Sequence, residues 1–150
     1  MQNDSYSEIK NLVSTKDDLN LINSELDLLT AGLYETKGKT FDYVLKNLVS
    51  DNFALIVSKL LESDTKENVI KKIKETLAQI KFIELTMAID PTQSFLSKIS
   101  DYLTSSLNQK VAIDLKVDQK IIGGVKVMYD GKYYDGSLKS KLDKILINYV

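Results

Sequence analysis

The side chains able to do chemistry in this sequence are carboxylates, lysine amines, serine hydroxyls and tyrosine phenols. Histidine, cysteine and tryptophan are absent, and all 20 basic residues are lysine, so arginine is absent too. Without cysteine there is no thiol nucleophile, disulfide or Cys-type metal site. Without histidine there is no Ser–His or Cys–His pair and no imidazole proton shuttle. Without arginine there is no bidentate fork for phosphate or carboxylate. The acidic pairs that remain are Asp130/Asp135 and Asp114/Asp118, and both fall at turns or on a solvated strand face with no partner nearby in sequence. Gly123-Gly124-Val125-Lys126 and Asp130-Gly131-Lys132 lack the spacing of a P-loop and precede no helix. Tyr129, Tyr133 and Tyr134 beside Lys126 and Lys132 could stack the bases of a single-stranded nucleic acid, but cross-strand packing accounts for such tyrosines without a ligand. These types and spacings point away from an enzyme. No catalytic residue, metal ligand or cofactor-binding residue is assigned, and no cofactor is expected.

Charge narrows the partners. Net charge runs from −3 over residues 1–50, through zero over 51–100, to +2 over 101–150. That gradient is too shallow for a nucleic-acid face. The longest apolar run, Phe53 to Val57, is far short of a membrane span. The first residues lack the basic and apolar regions of a signal peptide. A soluble, cytoplasmic protein is the expectation.

The elements that must position any site divide at about residue 82. Residues 1–81 read as a small helical bundle of four helices. The first carries a seam of Leu12, Thr15, Leu19, Ile22, Leu26, Leu29 and Leu33, and ends near residue 35 among glycines. Such a seam serves either as bundle core, the better reading, or as a stripe for a partner helix. Thr40, Asp51 and Asp64 are the expected N-caps of the next three helices, the last with Glu67 in a capping box. Beyond Lys81 the period becomes two. Ile83, Leu85, Met87 and Ile89 form a strand, and Asp90-Pro91 opens a helix with Phe95, Leu96, Ile99, Leu103 and Leu107 on its apolar face. Val111–Val117 is the second strand. Val125, Val127 and Tyr129 form the third, and Asp130-Gly131 turns the chain into Lys132-Tyr133-Tyr134. Ser137 caps a final helix lined by Leu138, Leu142, Ile145, Leu146 and Tyr149. The fold class is therefore α+β: a helical bundle over 1–81, then a β-α-β-β-β-α domain with one small sheet over 82–150.

The order Val117-Asp118, Ile121-Ile122, Gly123-Gly124, Val125-Lys126-Val127, Asp130-Gly131 and Asp135-Gly136-Ser137-Leu138, ahead of an amphipathic helix, resembles the C-terminal signature of the delta subunits of F-type ATP synthases. Their mitochondrial counterpart is the oligomycin-sensitivity-conferring protein. The resemblance covers about residues 83–150. The E subunit of V- and A-type ATPases is a weaker likeness, since this chain lacks its Asn-Thr element, and an unrelated protein-binding module is a further alternative. What the delta resemblance implies is a stator part of the peripheral stalk, without catalysis of its own. Its helical domain would bind the N-termini of alpha subunits and its C-terminal domain the b subunits. It would lie on the inner face of the cell membrane through the complex, without inserting into the bilayer. The expected contact residues are Ile121, Ile122, Val125, Val127, Tyr129, Leu138, Leu142 and Ile145. Gly123, Gly124, Asp130, Gly131, Asp135, Gly136 and Ser137 are expected to build the fold around them. Two departures stand out. Lys139 and Lys141 occupy positions where the family often has arginine, and the N-terminal domain is shorter than the family's usual six helices.

Overall fold

The computed structural model describes residues 2–120, 125–129 and 132–133. Contacts group the chain into two compact units: one takes the chain up to Val13 and then Asp17–Gln79, the other Ser14–Lys16 and the chain from Ile80 onward.

The helical unit contains α1 (Gln2–Ser7), a 3₁₀ helix (Glu8–Leu12), α2 (Lys16–Gly32), α3 (Phe41–Asn47), α4 (Asp51–Leu61) and α5 (Lys66–Ala78). The expected count of four helices is thus corrected to six helical segments. The long seam from Leu12 is broken: Val13 is extended (φ −109°, ψ 108°) and Thr15 joins a β-bridge, so α2 begins only at Lys16. Heptad spacing fitted both sides of this break, which is why periodicity alone did not reveal it. Within α2 the rest of the seam is core, with Ile22, Leu26 and Leu29 buried. They join Tyr6, Ile9, Val13, Phe41, Val44, Phe53, Val57, Leu60, Val69, Ile70, Ile73 and Leu77 as the buried apolar residues of this unit.

The helix caps show what competes for each start. Thr40 caps α3 as expected, its hydroxyl accepting from the Tyr43 N–H. The other two shift by one residue. Ser50, not Asp51, is the N-cap of α4, and Thr65, not Asp64, caps α5 by accepting from the Asn68 N–H. Asp64 is drawn instead into side-chain bonds described below. Helix α2 ends at Gly32, earlier than expected, because the chain folds straight back over it. A Cβ there would lie 2.8 Å from the Phe41 nitrogen and 2.9 Å from its Cα, so only glycine allows this approach.

The second unit is a four-stranded mixed sheet, in the order β2-β1-β3-β4, from β1 (Lys81–Met87), β2 (Val111–Val117), β3 (Val125–Tyr129) and β4 (Lys132–Tyr133). Strands β1 and β2 are parallel, from Lys81↔Val111 to Met87↔Val117. A parallel pair requires a crossover, supplied by α6 (Gln93–Leu107). Strand β3 runs antiparallel to β1, from Ile83↔Tyr129 to Met87↔Val125, and β4 returns with Tyr129 opposite Lys132. The period-two residues Ile83, Leu85, Met87, Val111, Ile113, Val125 and Val127 pack with Phe95, Leu96, Ile99 and Leu103 of α6 in one apolar cluster. Helix α6 starts later than Asp90-Pro91 predicts. Thr92 is its N-cap, accepting from the Phe95 N–H, and Ile89 lies past the strand and is 61% exposed. Asn108 ends α6 in the left-handed region (φ 53°), a conformation asparagine tolerates better than most side chains. Helices in one unit and a mixed sheet with its crossover helix in the other make the chain α+β. The expected final helix, 138–149, lies outside the described residues.

Candidate functional site

In the helical unit an open groove of about 410 Å³ lies between the 3₁₀ helix and α4. Glu8, Asn11 and Leu12 form one wall, and Asn52, Leu55, Ile56 and Lys59 the other. The α4 residues stand at i, i+3, i+4 and i+7, a single helical face. Leu55 is 65% exposed, while Leu12 and Ile56 are half-buried at the floor. At one end Glu8 and Lys59 pair at 3.5 Å. Apolar side chains edged by asparagines and one ion pair can hold apolar side chains of another helix.

Both walls are held by buried or bridging carboxylates. Glu25 on α2 is only 6% exposed. Its Oε1 accepts from the Ser50 N–H at 2.8 Å and its Oε2 from the Ser50 hydroxyl at 3.0 Å. A carboxylate is thereby placed at the N-terminus of α4, where the helix dipole favours negative charge. Ser50 makes no side-chain cap bond of its own. The other wall is tied by Asp64. Asp64 Oδ2 accepts from Lys72 Nζ at 2.7 Å and from the Tyr6 hydroxyl at 3.2 Å. Its Oδ1 accepts from the Thr65 N–H at 2.9 Å and Asn68 Nδ2 at 3.1 Å. Lys72 also sits over the Tyr6 ring, 5.3 Å from its centroid. The Lys72 ammonium, then Asn68 and the Thr65 N–H, hold the Asp64 carboxyl down at about 2. Burial, reinforced by Asp64, pushes the Tyr6 phenol up, and Asp64 pushes the Lys72 amine up. Tyr6 and Ile9 anchor the segment that ends in the groove wall. Neither the groove nor this network was read from the sequence. The signal that would have found the segment is the three-residue spacing of Tyr6, Ile9 and Leu12.

The residues expected to touch a partner fall elsewhere. Val125 and Val127 are buried, 3% and 1% exposed, inside the cluster formed with α6. Tyr129 is half-buried, and its phenol oxygen accepts from Gln109 Nε2 at 2.6 Å. Ile121, Ile122, Leu138, Leu142 and Ile145 lie outside the described residues, as do Gly123, Gly124, Asp130, Gly131, Asp135, Gly136 and Ser137. Of the acidic candidates, Asp114 pairs with Lys16 at 3.5 Å. Asp118 Oδ1 accepts from the Lys120 N–H at 3.0 Å in a local turn. Among the described residues no group of three or more acidic side chains converges as a metal site would require.

What the fold and groove define is a two-unit α+β protein with an open, partly apolar groove on its helical unit. Comparison with known proteins gives the family. The family described as ATP synthase delta (OSCP) subunit matches residues 8–147, and the chain belongs to it. Similar relatives are the ATP synthase subunits delta of Mycoplasma capricolum subsp. capricolum, Rickettsia canadensis and Mesoplasma florum. The first is 34% identical over 80 residues, 51% of this chain and 44% of the relative. The second is 29% identical over 102 residues, 66% and 55% of the two chains. The third is 30% identical over 83 residues, 52% and 44%. The chain spans about half the length of the curated relatives it matches. The delta resemblance of the C-terminal signature therefore holds, and the E-type alternative is not favoured. Among the described residues no helix is long and apolar enough to cross a membrane.

Proposed function

We propose that this chain is a delta-type part of an F-type ATP synthase stator, an adaptor without catalysis of its own, held at the inner face of the membrane by the complex. The observation that carries it is the family match over residues 8–147. The groove between the 3₁₀ helix and α4 supports the partner assignment for the helical unit. An amphipathic N-terminal segment of an alpha subunit would lay its apolar side chains on Leu12, Leu55 and Ile56, with Asn11 and Asn52 along the edge. The α/β unit would take the C-terminal ends of the b subunits. Ile121, Ile122, Tyr129, Leu138, Leu142 and Ile145 are the proposed contacts, and Val125 and Val127 would support them from the core.

The test uses the full chain. Titration with the N-terminal peptide of the alpha subunit from the same genome is expected to give a saturable calorimetric isotherm, weakened by Leu55→Asp. Co-expression with the soluble part of the b subunit is expected to co-purify a complex. A flat isotherm together with failure to co-purify at micromolar concentration would sink the proposal.

A further inference from the structure

The sheet has an edge that the chain guards with a piece of its own N-terminal half. Strand β2 lies at the end of the order β2-β1-β3-β4, and a bare edge is a template for pairing with another chain. Along β2 the odd-numbered residues turn their backbone groups outward, away from β1. The first of them is satisfied by α6: the Val111 N–H donates to Thr104 Oγ1 at 3.1 Å, and its carbonyl accepts from the Ser100 hydroxyl at 2.7 Å. The next is satisfied by the segment Ser14–Lys16. Thr15 forms a parallel bridge with Ile113, and the Ile113 N–H donates to the Ser14 carbonyl at 2.9 Å. Side chains add to this bridge, with Ser14 Oγ 3.3 Å from Ser97 Oγ and Lys16 paired to Asp114 at 3.5 Å. Beyond it, among the described residues, nothing bonds the outward groups of Leu115 and Val117, and the Val117 side chain is 47% exposed.

We propose that Ser14–Lys16 is a strap that closes the β2 edge against pairing with a second copy of this chain. The occupant follows from the charges beside Leu115. An antiparallel pair of β2 strands related by a two-fold axis at Leu115 places Asp114 of each copy opposite Lys116 of the other, and Ile113 opposite Val117. Cross-strand pairs of opposite charge favour that register, and a two-fold contact closes on itself. The strap prevents it twice over. It occupies the Ile113 N–H, and Lys16 neutralises the Asp114 that the second copy's Lys116, paired at 3.0 Å with Glu84 of its own chain, would face across the two-fold axis. A three-residue strap along a sheet edge can open locally without unfolding the unit.

Because the chain has no cysteine, the pair Ser14→Cys and Ser97→Cys forms a unique disulfide that locks the strap. Ser14→Gly with Lys16→Ala releases it. Hydrogen exchange is expected to show the Ile113 amide about tenfold slower in the oxidised lock than in the same chain reduced, with Leu85 and Val127 unchanged. Sedimentation at millimolar concentration is expected to show the locked chain monomeric and the released chain dimeric. Lys116→Asp in the released background should return it to monomer, and adding Asp114→Lys should restore the dimer. Equal Ile113 exchange in oxidised and reduced lock overturns the proposal. So does a released chain that stays monomeric, or a dimer indifferent to the charge exchange.

Discussion

Replacing Glu25 tests whether a buried carboxylate holds the groove wall in place. In Glu25→Ala the Ser50 N–H and hydroxyl lose their acceptor. The residue removed is itself 6% exposed. Hydrogen bonds to a charged acceptor are worth roughly 1.5–3 kcal/mol, and Ser50, which donates both, is itself exposed, so water takes part of the carboxylate's place. The expected loss is therefore about 1–3 kcal/mol. Glu25→Gln keeps the shape. Its carbonyl can face the Ser50 N–H while its amide donates to the Ser50 hydroxyl, so only the charge at the start of α4 is lost, about 0.3–1 kcal/mol. Urea unfolding of the full chain, followed by circular dichroism, reads both. A loss below about 0.5 kcal/mol for the alanine variant would refute the reasoning, as would a glutamine variant as damaged as alanine. Because Asn52, Leu55, Ile56 and Lys59 follow directly on the same helix, the alanine variant should also bind the alpha-subunit peptide more weakly than the glutamine variant.

Three further outcomes follow from the same structure. Gly32→Ala should destabilise by about 1–3 kcal/mol despite alanine's better helix propensity, since its Cβ meets the backbone of Phe41 and Thr40 and not a movable side chain; a neutral result by thermal unfolding would show that the α2–α3 corner yields. Leu55→Asp should leave stability within about 0.5 kcal/mol of wild type, because the side chain is 65% exposed, while weakening peptide binding at least about tenfold; unchanged affinity would remove the groove as the docking site. Asp64 sets an acid limit. Its carboxyl ionises at about 2 in the fold against an ordinary value of 3.8, so its contribution is complete above that unfolded value and is lost as pH falls through the folded one. The stability difference between wild type and Asp64→Asn should therefore be constant above about pH 4 and shrink towards pH 2, and a pH-independent difference would contradict the Lys72 assignment. At the alkaline end Tyr6 and Lys72, both raised, act in the opposite sense: their contributions are present below about pH 10 and lost as pH rises past it.

The sheet was legible in the sequence because its physics is local. The alternation of Ile83, Leu85 and Met87, of Val111 and Ile113, and of Val125 and Val127 placed the same residues that the core buries. The class α+β followed from that change of period. The N-terminal segment was not legible for the opposite reason. Leu12 and Thr15 fit a heptad by spacing, yet Thr15 is claimed by a bridge to Ile113, nearly a hundred residues away, and no local pattern encodes such a pairing. The cap shifts have a related cause. Asp64 is a better intrinsic N-cap than Thr65, but Lys72 and Tyr6 compete for its oxygens, and Thr65 takes the vacancy. At the groove, Leu55 looked like one residue of an apolar run, and its exposure depends on which face of α4 the rest of the bundle buries.

The missing residue types look different once the carboxylates are placed. Glu25, Asp64 and Asp114 are each used as acceptors that join segments distant in sequence: Ser50 to α2, Tyr6 and Lys72 to the Asp64 loop, and Lys16 to β2. Arginine's fork is not needed at any of these, since each described ion pair is a single nitrogen-to-oxygen contact. Lysine even takes the stacking positions that arginine often fills, with Lys66 over Phe41 at 4.9 Å and Lys72 over Tyr6 at 5.3 Å. A lysine on a flexible stem can serve as both a point charge and a cover for an aromatic face. A chemistry-poor alphabet is thus spent on internal bracing, and the open surface is left to leucine, isoleucine and asparagine. For a part proposed to hold other subunits still, that division is coherent. Stiffness comes from carboxylate acceptors, attachment comes from apolar contact, and neither requires a nucleophile.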